Sequence, residues 1–449
     1  MQSSKAQSFF RYSQLAKSSV GLKQSMISVF GSLVASGLAA LVLMMLSRFL
    51  GPLYFGQFST AFALTLILVR INDLGLSVAT SKLVPVMDDK TQQQALLNII
   101  FKLRLGLSGI IVVIGIIASQ YLPAFLLPSN PSLVLLAFLL CFATAFFEHA
   151  QFALQALHKF KIAAFLNASQ GALKLILVLP LIFLIFQNTV PLTIITLIVF
   201  VLYMLAPIIP VLLLKTIKPA SLPISLNVPA SVDIKQLYLK IWQVAKHAGL
   251  GIIAAGVIEN IDILFVQAQL SDFEAGLLAG VSRIALLLYI LAYALGNVLN
   301  PRVALYKDWL NLHQFWKKAW LILALSILGF VLSMFLAKPL ILLTIGSAYL
   351  PALDVMRILL AAGFITIAAI PFIAMFYAFN LAWYFSVSGV IQLVIVLAGN
   401  YWLVPIYGIE ASAWTRLVAR VVLLLFTIII ARAQYSMLLK KQTLSEKTV

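Results

Sequence analysis

A chain of 449 residues that is 63% hydrophobic and only 10% charged is not an ordinary soluble enzyme, in which about a quarter of residues carry charge. Its single cysteine, Cys141, excludes an internal disulfide, and the histidines His149, His158, His247 and His313 lack the spacing of a metal site. The formal charge of +18 would suggest a nucleic-acid partner for a soluble chain; here its placement reports membrane topology, and no nucleic acid is expected.

Windows of about 20 apolar residues, the length that crosses a bilayer core, recur twelve times. In chain order the predicted spans are 25–47, 54–80, 105–121, 132–157, 162–186, 191–213, 241–267, 275–300, 316–337, 352–377, 382–404 and 409–431. Stretches such as 38–46 are apolar without interruption and lack the alternation of a barrel wall. The expected fold class is all-α integral membrane, with twelve transmembrane helices.

An even number of spans puts both termini on one side, and the positive-inside rule names it. The N-terminal tail carries Lys5, Arg11, Lys17 and Lys23, and the connector after the second span carries Lys82, Lys90, Lys102 and Arg104. With the later connectors of that set and the C-terminal tail, about 23 of the 31 Lys and Arg gather on one face, while the opposite connectors hold only Arg48 and Lys338. Both termini are therefore predicted to be cytoplasmic. The turn near Asn380 carries no charge and is placed by alternation alone. No small-residue cleavage site precedes the first span, which reads as an anchor. The outer connectors are short, the longest near Leu122 to Pro131.

The stretch 215–236, with Pro219, Pro223 and Pro229, separates six spans from six. The expected organisation is a cytoplasmic tail (1–24), a six-helix bundle (25–214), a cytoplasmic linker (215–236), a second six-helix bundle (237–431) and a cytoplasmic tail (432–449). Two local matches support duplication: Gly171 aligns with Gly389 at an offset of 218, and Gly56 with Gly276 at 220. Nearly equal offsets that cover an even number of spans describe parallel repeats, a transporter plan.

An ionised side chain at mid-bilayer costs roughly 2.5–3.5 kcal/mol on insertion scales, so charges within spans face protein or water. The predicted spans hold Arg70, Lys174, Arg283, Arg357, Arg416 and Arg420 against Asp73, Glu148, Glu259 and Asp262, an excess of two positive charges. Such an interior favours an anionic cargo. Arg70 and Asp73, three apart, can pair on one helix face. Glu259 and Asp262, also three apart, cannot neutralise each other; they meet cations of other helices, for instance Arg283, or one holds a proton or a small cation. Arg416 and Arg420 form an anion clamp if deep, or snorkel if near the cytoplasmic end. Lys174 and Arg357 are expected to find no partner on their own helix. Lys174 has Gln392 as its repeat-mate, so the halves differ chemically there; the bland alternative is a packing lysine that reaches a backbone carbonyl. Glu148 either relays protons with His149 or is a buried acid satisfied by Gln151 or Tyr203.

The segment Ser47-Arg48-Phe49-Leu50-Gly51-Pro52-Leu53-Tyr54-Phe55-Gly56, followed by Asn72-Asp73-Leu74-Gly75-Leu76, resembles the "LGP-x-x-(Y/F)-G" turn and "DLGL" ending of the polysaccharide transporter family. Asn260-Ile261-Asp262 with Ala275-Gly276-Leu277 resembles its second-half segment, with leucine in place of the usual tyrosine. The corner Pro405-Ile406-Tyr407-Gly408-Ile409-Glu410-Ala411-Ser412-Ala413 is similar to the same family's "P-x-(Y/F)-G-(I/L)-x-G-A-A", with Glu410 and Ser412 as variants. That family comprises the Wzx-type O-antigen and exopolysaccharide flippases of the multidrug/oligosaccharidyl-lipid/polysaccharide (MOP, MATE-like) superfamily.

The resemblance implies a V-shaped pair of bundles in the bacterial inner membrane around a cationic cavity that moves undecaprenyl-pyrophosphate-linked oligosaccharide by alternating access. It also implies a polysaccharide polymerase and a chain-length regulator as partners. The expected substrate-binding residues are Arg48, Arg70, Lys174, Arg283, Arg357 and Arg416; Asp73, Glu148, Glu259 and Asp262 are ion-coupling residues or members of structural charge pairs. No cofactor is expected, since the chain has no Gly-Lys-Ser/Thr phosphate loop; coupling to H+ or Na+ stays open. The rival readings are an ion-coupled multidrug exporter of the same superfamily and, from another class, a membrane polysaccharide polymerase or glycosyltransferase.

Overall fold

The computed structural model describes residues 2–121, 130–187, 190–217, 225, 227–229, 232–304, 306, 309–379, 381 and 383–446. Among these the secondary structure is helical throughout. Helix α1 spans Gln2–Asp73, α2 Leu76–Leu83, α3 Lys90–Tyr121, α4 Pro131–Ala156, α5 Phe160–Phe186, α6 Leu192–Ile217, α7 Ile234–Gln269, α8 Asp272–Val303, α9 Trp309–Thr344, α10 Leu353–Ala378, α11 Trp383–Tyr407 and α12 Ile409–Glu446. Eleven helices are long and apolar enough to cross a membrane. Their exposed faces carry large apolar side chains, such as Leu325, Leu328, Leu332 and Phe335 of α9, as expected where the solvent is lipid. The outer connector from Leu122, the turn at Asn380 and part of the 215–236 linker lie outside the described residues.

The first two predicted spans are one helix interrupted once. The apolar part of α1, Leu33–Asp73, has 41 residues, about 60 Å of helix at ~1.5 Å per residue and twice the ~30 Å hydrocarbon core. At Gly51 the backbone leaves the helical region, with φ 69° and ψ 172°. Only glycine adopts that conformation freely, and Pro52 restarts the second arm with a preset φ. The second arm ends at Asp73 and not at residue 80: Leu74 and Gly75 both take positive φ, and α2 follows as a separate short helix.

Helices α1, α3, α4, α5 and α6 pack among themselves, as do α7 to α12, and the two groups meet mainly where α1 crosses α8 and α7. Glycine sets the tightest approaches. A Cβ on Gly56 would lie 1.7 Å from the carbonyl oxygen of Asp272, and one on Gly276 would lie 1.7 Å from that of Pro52. Pro52 and Asp272 are 220 positions apart, as are Gly56 and Gly276. Each residue therefore contacts the repeat-mate of its partner, the reciprocal pattern of an interface about a twofold axis. At the other end of α1, the second close approach sets Gly75 against Ala245 and Gly249 of α7. The linker is anchored by Asn98, whose Nδ2 donates to the carbonyl of Asn227 at 2.6 Å.

Candidate functional site

The sequence places charged residues near the middle of helices that would otherwise be wholly apolar, and the fold gathers them into a belt between the two groups of helices. In the first group, Asp73 is fully buried at the end of α1. It accepts from the backbone N–H and the hydroxyl of Ser77, at 3.1 and 2.7 Å, and so caps the start of α2. Its ion partner is Arg104 of α3, itself buried. Arg70, one turn before Asp73, reaches Glu148 of α4 at 2.7 Å, and Arg104 Nη1 lies 3.8 Å from the other Glu148 oxygen. The expected Arg70–Asp73 pair is thus exchanged for two pairs between helices. Each acid selects the arginine that approaches across the packing interface, and a buried carboxylate at Asp73 gains more from an equally buried guanidinium than from the half-exposed Arg70.

Arg104 is a correction to the topology reading, which counted it among connector cations. It lies in the interior of α3, where Asn72 Nδ2 donates to its carbonyl at 3.2 Å and to Ser108 Oγ at 2.9 Å. The signal available in the sequence was Ser108 four residues on, a second polar residue on one helix face inside an apolar run. Glu148 is satisfied by arginines and by neither Gln151 nor Tyr203. Its neighbour His149 faces elsewhere, with its ring 5.0 Å from that of Phe101; adjacent helical positions point about 100° apart, and no Glu148–His149 relay is formed.

In the second group, Asp262 of α7 pairs with Arg416 of α12 at 2.5 Å, and Arg416 also donates to the carbonyl of Glu259 at 3.0 Å. The expected cross-helix neutralisation of Asp262 therefore occurs, with Arg416 as the partner in place of Arg283. Glu259 has no ion-pair partner within 4 Å among the described residues. Arg420 is engaged inside the protein: it donates to Gln392 Oε1 at 2.8 Å and lies 5.4 Å from the centre of the Tyr289 ring.

Where the two groups face each other, donors outnumber acceptors. Lys174 Nζ of α5 stands 4.8 Å from the centre of the Tyr203 ring of α6 and has no acid within 4 Å among the described residues. Tyr203 is held edge-on by Phe58 and Phe62, and its buried hydroxyl has no hydrogen-bond partner among the described residues. From the other group, Arg283 of α8 comes within electrostatic reach of Tyr203, Asp262 and Arg416. Arg283 is buried, and its Nε and Nη2 have no hydrogen-bond partner among the described residues. Arg70 also bridges the groups. A Cβ on Gly256 would lie 2.2 Å from Arg70 Cγ, so the glycine opens the path by which Arg70 comes within reach of Glu259.

Lys174 and Gln392 lie 218 positions apart, the spacing of Gly171 and Gly389, whereas Arg420 falls one residue short of that spacing from Tyr203. The contact of Gln392 with Arg420 between α11 and α12 therefore resembles that of Lys174 with Tyr203 between α5 and α6 in kind and not position for position.

Two expected members lie outside the belt. Arg357 pairs with Asp354 one turn earlier on α10 at 2.7 Å, and both side chains are substantially exposed; the expectation of no partner on its own helix fails because Asp354 lies three residues before it, on the same face. Arg48 is exposed three residues before the Gly51 break of α1 and donates to the carbonyls of Leu342 and Leu343, at 3.4 and 2.8 Å, near the C-terminus of α9, where a cation complements the helix dipole. With Arg104 inside and Arg357 outside, the belt keeps an excess of two positive charges over Asp73, Glu148, Glu259 and Asp262. Acid–arginine pairs account for Asp73, Glu148 and Asp262, leaving Lys174, Arg283 and Arg420 without acid partners. Such a patch can desolvate and hold an anion.

The residue pattern of the family described as polysaccharide biosynthesis protein matches residues 22–307. Nothing among the curated proteins matches. Among solved structures, an inward-facing multidrug resistance MATE family transporter of the MOP superfamily is similar over 93% of this chain and 99% of that one, with TM-score 0.70 at 13% identity. The lipid II flippase MurJ in its inward closed conformation is similar over 92% of this chain and 87% of its own, with TM-score 0.71 at 15% identity. A MOP superfamily transporter from Pyrococcus furiosus, described as having a binding pocket of reverse polarity, is similar over 92% of this chain and 96% of that one, with TM-score 0.62 at 12% identity. At such identities the likeness carries the fold.

Proposed function

Since the chain belongs to the polysaccharide biosynthesis protein family and has the fold of MOP superfamily transporters, we propose that it is a flippase for an undecaprenyl-pyrophosphate-linked oligosaccharide in the bacterial inner membrane. In this reading the arms of α1 on either side of Gly51 count as two spans, the chain has twelve spans and cytoplasmic termini, and its bundles are 25–214 and 237–431, joined by the linker 215–236. A polysaccharide polymerase and a chain-length regulator would act on the released cargo.

The observation that supports the proposal is the patch of Lys174, Tyr203 and Arg283 between the bundles, whose two cations have no acid within 4 Å among the described residues. A diphosphate entering it gains an ammonium, a phenol and a guanidinium with unused donors, in a setting where charge-assisted bonds are strong. Anion binding draws the Lys174 and Arg283 bundles together, since each supplies one charge. Their rocking about the Gly56–Gly276 crossing would expose the site to either side in turn, while the polyprenyl tail stays in lipid. Arg70 stands between Glu148 of its own bundle and Glu259 of the other, and a change of partner would accompany that motion. Glu259, the belt acid without an ion pair, is the position at which H+ or Na+ would enter. Export of cationic drugs is the weaker reading, because such cargo needs free acids and three of the four belt acids are committed to arginines.

The test is reconstitution of the purified chain in liposomes carrying a fluorescent polyprenyl-diphosphate oligosaccharide. Flipping is read as loss of protection from a membrane-impermeant quencher. Flipping of the polyprenyl-diphosphate cargo, with none for a zwitterionic lipid of equal glycan, supports the assignment; equal rates for both, or export of a cationic dye in its place, would replace it.

A further inference from the structure

We infer that the outer groove between α5 and α6 is a docking site for the isoprenoid chain of a polyprenyl-phosphate lipid, with its phosphate at Lys161. The groove has a volume of about 620 Å³, and its walls include Phe165, Ala172 and Ile176 of α5 with Pro210 and Leu213 of α6. Pro207 and Pro210 lie inside α6, where each removes a helix hydrogen bond and crowds the preceding turn. The walls are open to the surroundings, with Phe165 70% and Ile176 61% exposed. Ala172 and Ile176 lie about 200° around α5 from Lys174 at ~100° per residue, so on α5 the groove and the patch between the bundles occupy different faces.

Charge and length together select the occupant. One end is lined by Lys161 in the first turn of α5, a turn with no acid and no side-chain cap, so the helix dipole adds to the lysine charge and favours an anion. The last turn of α6 at the same end carries Lys215, which offsets the opposite dipole there. From Lys161 to Ile176 the groove runs along 15 residues, roughly 22 Å at ~1.5 Å per residue, whereas one leaflet contributes only about 15 Å of hydrocarbon. At that depth an extended acyl chain ends, whereas a long isoprenoid continues beyond it. The inference rests on the flippase reading for the kind of lipid. It adds a waiting position on the outer wall of the first bundle, loaded before the head group moves inward.

The full chain in nanodiscs of phosphatidylethanolamine and phosphatidylglycerol is labelled with a diazirine-bearing polyprenyl phosphate, and the adducts are mapped. Label is expected within 161–176 and 209–217, displaced by unlabelled polyprenyl phosphate and not by added phosphatidylglycerol. Ala172→Trp, which fills the groove, and Lys161→Glu, which reverses its head end, should each lower the yield about tenfold, a change of ~1.4 kcal/mol in binding. Ser169→Leu fills less volume and serves if the tryptophan variant misfolds. Label spread over other faces, equal displacement by phosphatidylglycerol, or undiminished yield in folded variants overturns the assignment. Groove labelling by a chain that flips nothing removes the flippase reading alone; flipping with label elsewhere removes the groove alone.

Discussion

Gly56 and Gly276 lie backbone to backbone at the crossing of α1 and α8: the Cβ of either would fall 1.7 Å from a carbonyl oxygen of the opposite helix. Because those carbonyls belong to main chain, no rotamer change relieves the clash. Gly56→Ala and Gly276→Ala should each separate the helices and cost at least the ~1–3 kcal/mol of overpacking, seen as a lower melting temperature in detergent. Gly109→Ala, with nothing within 4 Å of the added atom, should be neutral or stabilising by up to ~1 kcal/mol. Equal melting temperatures for all three variants would remove the crossing as the tight point of the fold.

Asp73 and Arg104 are the most deeply buried ion pair of the belt. Asp73→Asn or Arg104→Gln leaves a charge unpaired in the interior and should cost about 3–5 kcal/mol, read as loss of folded protein in the membrane fraction. Arg70→Gln should cost less, since Arg70 is part-exposed and Glu148 keeps a second arginine nearby. Reversal of that order would show that the belt is held from its Arg70 end.

The likeness of the contacts Lys174–Tyr203 and Gln392–Arg420 can be tested by transplanting one arrangement into the other half. Gln392→Lys removes an acceptor from Arg420 and sets like charges together, a repulsion on the order of a few kcal/mol at close range. Adding Arg420→Tyr should restore most of the lost thermal stability, because a lysine over a tyrosine ring is the arrangement already present in α5 and α6. Failure of the second change to rescue the first would mean that the two helix pairs are alike in residue types only.

Arg357 forms an exposed pair with Asp354, and exposed pairs contribute about 0–1 kcal/mol. Arg357→Gln should therefore leave stability nearly unchanged and transport within about twofold, a change below ~0.5 kcal/mol. A larger loss of transport would return this residue to the path of the cargo.

The helical class and the cations central to the proposal were legible in the sequence because membrane burial leaves a strong signature: long apolar runs broken by costly charges. The glycine at 51 was legible as part of a motif, but its role, breaking one long helix into two arms, follows from a positive φ that no composition window reports. Pairing was not legible. Arg70 and Asp73 sit at ideal spacing for one another, yet each binds a residue from a helix that begins well along the chain, since helix packing decides which guanidinium reaches which carboxylate. Arg104 was hidden by the rule that found the topology: three nearby lysines made it look like one more connector cation. Arg357 failed for a simpler reason, an acid one turn away.

The central claim is that Lys174 and Arg283 together hold an anionic head group between the bundles. The most direct measurement is flipping of a polyprenyl-diphosphate oligosaccharide by Lys174→Gln, Arg283→Gln and the double variant, each inserted at the level of the parent chain. A hydrogen bond to a charged group is worth about 1.5–3 kcal/mol, so each single change should slow flipping by roughly tenfold or more, with cargo accumulating in the inner leaflet. Flipping at the parental rate by the folded double variant would contradict the account.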